Sequence, residues 1–282
     1  MLWADLPPEP SERVVAAECE RVYDEFISQV DRRTAKAMRE SQEEAEETSN
    51  GPVFGGLRDE AMREGALALG AQQGLSFRYR QIDDMLRSGD LGSLLDQAFD
   101  FSRLVHNGIL MPVVTEAREA FELADDGLSA RQSMLTWEIT DPARLVSVPP
   151  TWRNYLLAPI GDPQSPALGL MPWDSDSRDI WSEGICEGVA MGMRQADLLF
   201  RERLSRLMRE YLGRLRFHTL AAQGIVSMPE RHEGRLGIRI EGQRVNIDET
   251  LVRITAPGRF QAVEEWQPGA GRESEPQWPR QD

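Results

Sequence analysis

Lysine is almost missing from this sequence: Lys36 is the single example, and arginine carries nearly all of the positive charge. Arginine pairs can be two-pronged, which favours defined polar contacts at an interface rim. Positive charge as a whole is also short. Thirty-two lysines and arginines face 47 aspartates and glutamates, for a formal net charge of −15. Such a chain repels phosphate backbones and anionic bilayers, which argues against nucleic-acid binding as its main business. Histidine is limited to His106, His218 and His232; no two stand four apart on a helix, and there is no Cys-x-x-Cys, so the pattern offers no zinc site. Two cysteines, Cys19 and Cys186, are too few for a disulfide framework. They could pair in an oxidising compartment or remain two thiols, and Cys186 reads most simply as a small buried apolar residue. No apolar run approaches the roughly 18 to 20 residues that span a bilayer. Met1 to Pro10 hold two acids and three prolines where a signal peptide has basic residues and an apolar run. Glu18 before Cys19 likewise speaks against a lipoprotein cleavage box, so neither a secretory signal nor a lipobox is expected in this chain.

What is present is enough chain, 282 residues, for a substantial core. Behind Ser11, apolar residues from Val14 through Phe26 to Val30 recur at helical spacing, and the pattern predicts an amphipathic helix to about Glu47. Residues 48–56 read as a linker, so 1–56 form an acidic helix and connection. Residues 57–88 give the clearest helix. Within it Ala66, Gly70 and Gly74 lie four apart, and Gly184, Gly188 and Gly192 repeat that ridge later. Each helix-interior glycine costs about 1 kcal/mol relative to alanine, so the pattern predicts a gain: two helices crossing closely at their small ridges. Residues 89–108 suggest short helices ended by Asn107-Gly108, and 113–125 fit helix or strand equally. Ser133 to Val148 reads as a hairpin turning at Asp141-Pro142. A long helix follows from Ser177 to Gln223 with a break near Gly213. Alternation from Leu236 to Ile254 then predicts a hairpin or meander turning at Glu241-Gly242. The sum is an α+β fold of long packed helices and a small antiparallel sheet built from hairpins, occupying 57–266, with a disordered tail at 267–282.

Catalysis needs a positioned nucleophile, base and orienter, or a metal with three or four ligands. The chain has no nucleophile elbow, phosphate loop or dinucleotide fingerprint, and the reading is no catalytic, cofactor-binding or metal residue and no cofactor. A Cys186–His218 thiol dyad is the one conceivable exception. Tryptophans in irregular segments stand out instead. Trp152, Arg153, Tyr155 and Trp173 are candidate partner contacts, against the equally common reading of a tryptophan that closes the edge of a core.

Four blocks, in order, resemble a known family. Residues 58–87, from Arg58-Asp59-Glu60 through Gly70-Ala71-Gln72-Gln73-Gly74 to Ile82-Asp83, form the first. Phe99-Asp100-Phe101 with Ile109-Leu110-Met111-Pro112 form the second, and Pro149-Pro150-Thr151-Trp152-Arg153 with Tyr155-Leu156 the third. Ile247-Asp248 with Leu251-Val252-Arg253-Ile254-Thr255-Ala256 complete the set. Together they resemble the DotC family of type IVB (Dot/Icm-like) secretion systems, with TraI-type relatives in IncI conjugation systems. The resemblance implies a non-enzymatic subunit of an outer-membrane-associated ring in the periplasm, assembling with DotD- and DotH-like partners. It also implies a lipid anchor, although no lipobox is expected in this chain. The alternative is a periplasmic adaptor or ligand-binding protein outside any secretion machine.

Overall fold

The computed structural model describes residues 8–40, 52–123, 129–157, 159, 161, 163, 164, 172 and 175–266. Among the described residues three helices, α1 (Glu12–Glu40), α2 (Pro52–Arg87) and α3 (Gly89–Ala98), precede a run of five strands, and α4 (Arg153–Leu156) and α5 (Ser175–Ala222) separate that run from a final pair. The strands are β1 (Val105–His106), β2 (Ile109–Leu110), β3 (Val113–Leu123), β4 (Ala130–Asp141), β5 (Arg144–Leu145), β6 (Glu230–Glu241) and β7 (Arg244–Ala256). Every pairing is antiparallel, in sheets ordered β1-β2-β5, β3-β4 and β6-β7, so the class is α+β. The chain divides into two compact units that each use two stretches of sequence: Met1–Leu94 with Leu157–Arg203, and Leu95–Leu156 with Leu204–Asp282.

The first unit is helical, and its core shows why. Val22, Phe26 and Val30 from α1 meet Met62, Ala66 and Leu69 from α2 and Trp181, Ile185, Val189 and Met193 from α5. Each set recurs at three- or four-residue spacing, the stripe a helix needs to bury one face. Phe26 stacks on Trp181 with ring centroids 4.2 Å apart. Beside this core α2 and α5 touch backbone to backbone. A Cβ added to Gly188 would stand 2.3 Å from the Leu67 carbonyl oxygen, and one on Gly192 2.1 Å from that of Ala71. In the reverse direction Gly70 and Gly74 lie against the carbonyls of Ile185 and Val189, both at 2.3 Å, while a Cβ on Gly184 would meet that of Ala66 at 2.7 Å. No side chain fits there. Cys19 on α1 and Cys186 on α5 are joined as a disulfide, with Cα atoms 4.9 Å apart. The reading of Cys186 as a simple buried hydrophobe is therefore corrected, because pairing depends on proximity that spacing does not reveal.

Several boundaries differ from the sequence reading. Residues 52–56 open α2 rather than closing a linker; 48–51, like the expected end of the first helix and the tail from 267, lie outside the described residues. Asn107 (φ 51°) and Gly108 (φ 74°) do not stop a helix but turn β1 into β2. Both positive φ values match the twist a two-residue hairpin turn needs. The hairpin expected at Asp141-Pro142 is corrected as well. β4 pairs backwards in sequence with β3, as Val114↔Ile139, Glu116↔Trp137 and Phe121↔Gln132, and the residues after Pro142 join β2 instead. A long ladder outweighs the helix preference of β3's alanine, glutamate and leucine, whereas a turn at Pro142 leaves only a short second arm. Helix α5 runs unbroken through Gly213, whose missing side chain makes room for Val113; an added Cβ would be 2.4 Å from the Val113 Cγ1.

The second unit centres on Ile109, Met111, Val114, Phe217, Leu220, Ile225 and Val226. Trp137, Ile139 and Ile254 pack on this cluster from the roots of the two long ribbons, β3–β4 and β6–β7. Gly242 (φ 57°) serves the β6–β7 turn, and Gly237 (φ 69°) with Asp248 (φ 55°) accompany register shifts within it.

Gly188→Ala should destabilise the protein by about 2 kcal/mol through overpacking. Gly56→Ala is its counterpart: an added Cβ there meets nothing within 4 Å, so the better helix former should stabilise by about 0.5 to 1 kcal/mol. Urea denaturation of both variants checks the pair; equal midpoints would remove the backbone-contact argument. The double variant Cys19→Ser with Cys186→Ser should lose about 2 to 4 kcal/mol in the same measurement.

Candidate interaction surfaces

The segment singled out by its aromatics is held from below by one carboxylate. Asp96, on α3, accepts a hydrogen bond from the Trp152 indole Nε1 at 2.8 Å, and its two oxygens take both Arg153 guanidinium nitrogens, at 2.5 and 3.1 Å. That guanidinium also lies 4.3 Å from the centre of the Trp152 ring. Thr151 and Asn154 close the local turn, the Asn154 side-chain oxygen accepting from the Thr151 backbone N–H at 2.7 Å. Trp152 is consequently only 1% exposed. This corrects its reading as a partner contact: it closes the core, and its one polar atom is satisfied internally, as a buried indole requires. Arg153 keeps about half of its side chain in solvent. Tyr155 stacks on Phe101 at 5.5 Å and donates to Glu210 at 3.4 Å. Trp173 lies outside the described residues.

Glu210 leads to a second, deeper polar cluster. The fully buried Arg214 on α5 donates to Glu210 Oε2 at 2.6 Å and to Asp141 Oδ2 at 2.8 Å. Arg144 approaches the same two carboxylates at 3.7 and 3.9 Å. Two arginines and two carboxylates thus cancel within one network. Burial, followed by repulsion from the charged form of His106, pushes the His218 pKa below its ordinary value. Cys186 has no thiol to offer His218, since it is bonded to Cys19. Among the described residues no group of three or more His, Cys, Asp or Glu is placed to hold a metal ion, and no helix is long and apolar enough to cross a membrane.

Two kinds of surface remain. A groove of about 800 Å³ opens beside the disulfide in the first unit, its wall made by Val15, Ala16, Tyr23, Ala190, Met193 and Leu198. Two of its acids are paired, Glu9 with Arg201 at 3.2 Å and Asp197 with the buried Arg78 at 2.9 Å, while Glu12, Glu20 and Arg194 also line it without an ion pair among the described residues. In the second unit, the outer halves of the two ribbons carry apolar side chains into solvent, among them Phe121, Met134, Ile238, Ile240 and Ile247. Sequence reasoning caught the alternation of β6 and β7 but not its exposure, because a strand pattern does not say whether a second layer covers it, and it left β3 open between helix and strand. A family model described as "Type IV secretory system, conjugal DNA-protein transfer" matches residues 56–268. The chain belongs to this family. The matched span contains α2 from its second turn onward, α3 to α5 and both ribbons, and leaves α1 outside it. No curated protein matches the chain.

The Arg153 and Trp152 hydrogen bonds hold the Asp96 carboxyl below the ordinary carboxylate pKa. A depressed carboxylate adds stability above its unfolded value and loses it as pH falls through its folded value. Asp96→Asn should therefore melt below the parent at neutral pH, with the gap closing in acid below the ordinary aspartate range. Thermal melts across that range read this directly; a gap that does not depend on pH would show that the charge is not what holds Trp152.

Proposed function

We propose that this member of the type IV secretory conjugal-transfer family is a non-enzymatic, structural subunit of a type IVB outer-membrane core complex, located in the periplasm and assembling with DotD- and DotH-like proteins. The observation that carries the reading is the family match over residues 56–268. The ordered DotC-like blocks, including Pro149-Pro150-Thr151-Trp152-Arg153, give it its finer form. The arrangement of side chains supports it from a second side. The polar clusters are self-neutralising and tie elements to one another, while unpaired apolar area sits on protruding ribbons, as a subunit built for contact requires. A disulfide between α1 and α5 suits an oxidising compartment such as the periplasm.

The apolar groove beside the disulfide favours a second reading, a periplasmic adaptor or ligand-binding protein outside any secretion machine. Tagged full-length protein, recovered from detergent-solubilised envelopes of cells that carry the system, separates the two. The scaffold reading expects DotD- and DotH-like chains at comparable abundance by mass spectrometry. Recovery of the protein alone in the soluble fraction would overturn it in favour of the adaptor.

A further inference from the structure

The β6–β7 ribbon is amphipathic with its apolar side facing nothing. Ile240 is opposite Val245 in the ladder, and Ile238 and Ile247 lie two residues beyond them on the same face. These four side chains are between 56% and 72% exposed. The other face alternates Arg239, Glu241, Arg244 and Asn246. The β3–β4 ribbon repeats the arrangement: Phe121 and Leu123 share a face with Met134, and the three are 63% to 77% exposed. A two-stranded ribbon is marginal in water by itself, and its free edges are open to pairing. Both ribbons belong to one compact unit, yet these exposures mean that neither covers the other's apolar face.

Charge distinguishes the two. Across β3 and β4 five carboxylates stand against two arginines, and exposed Glu119 and Glu138 have no ion pair among the described residues. From Glu230 to Ala256 five arginines balance five carboxylates, in a chain whose net charge is −15. Exposed Arg235 and Arg244 have no ion pair among the described residues. One chain thus carries an acid-rich apolar ribbon and an apolar ribbon with free arginines, in equal numbers by construction.

We propose that the outer half of β6–β7 in one copy of this chain docks on the outer half of β3–β4 in a second copy. Apolar face meets apolar face, while Arg235 and Arg244, the latter on the opposite face of the ribbon, give it unpaired positive charge that complements the acid-rich neighbour. The contact joins unlike surfaces, so each added copy leaves one ribbon of each kind free, and repetition gives a ring or an open filament. The inference deepens the scaffold reading, on which it rests for the need of many copies, and it commits to a surface and an occupant that the family match does not supply.

The purified full-length chain tests it in a sedimentation-velocity concentration series. The parent should self-associate. The pair Ile238→Asp with Ile240→Asp should weaken association at least tenfold, as should Phe121→Asp with Met134→Asp. Both should keep the melting temperature of the parent at concentrations where it is dissociated, because the substituted side chains are in water in the lone chain. Mixing the two variants leaves one intact ribbon of each kind and should restore a heterodimer and nothing larger. A benzophenone amino acid at Ile240, irradiated in a mixture of labelled and unlabelled chains, should capture a peptide within 113–141 of the other copy. A monomeric parent, unaffected variants, or a mixture that does not pair would each overturn the proposal. So would a monomeric parent that cosediments with phosphatidylglycerol vesicles, which would make the ribbon face a membrane surface. Co-purification of DotD- and DotH-like chains with a protein that is monomeric alone would sink this contact while leaving the scaffold reading in place.

Discussion

Contact between the bare backbones of α2 and α5 is the constraint on which the helical unit depends. Helices with ordinary side chains at the crossing sit about 8 to 10 Å apart. Here Gly70, Gly74, Gly184, Gly188 and Gly192 remove the spacer, so carbonyls of one helix rest where side chains of the other would be. Dispersion contacts then extend along a ridge instead of at a few knobs, offsetting the conformational cost of five glycines in helices. The close crossing also decides what α1 can do. With α2 and α5 drawn together, one shallow apolar surface made of Met62, Ala66, Leu69, Trp181, Ile185 and Val189 is left for Val22, Phe26 and Val30.

In the second unit, charge does the positioning that glycine does in the first. Arg214 is entirely buried, which is tolerable only because Glu210 and Asp141 neutralise it and Arg144 completes the balance. Asp96 plays the same part near the surface for Trp152 and Arg153. These networks link α5 to β4 and α3 to α4, elements whose apolar contacts alone would leave orientation loose. The abundance of arginine finds its use here, since a planar fork can satisfy two acceptors at once, as Arg153 and Arg214 both do.

How much of this the sequence disclosed depended on whether a pattern had one physical cause or several. Period-four glycines have few uses in a helix, and the alternation of Ile238, Ile240, Val245 and Ile247 has only one backbone that suits it. β3 was illegible because Ala117, Glu119, Ala120 and Leu123 satisfy a helix as well as a strand, and its strand character comes from β4, a partner supplied later in the chain. Asn107-Gly108 was ambiguous for a similar reason: positive φ serves a helix end and a tight hairpin equally. Trp152 fits a partner surface and a core edge equally well from its prolines and neighbours alone. Its burial depends on Asp96, 56 residues earlier, and nothing local announces that hydrogen bond. The cysteine pair is the extreme case, with 167 residues between partners.

That separation also sets a schedule. α1 leaves the ribosome long before the helix it is stapled to, and at about 5 to 20 residues per second the wait for residue 186 is roughly 8 to 33 s. Throughout that interval Val22, Phe26 and Val30 lack the α5 side of their core, and the Cys19 thiol is free to find the wrong partner. The helix outside the family match is thus made well before its α5 partner and is among the last parts to be secured, so its fate during synthesis rests on whatever holds a nascent apolar stripe apart from its neighbours.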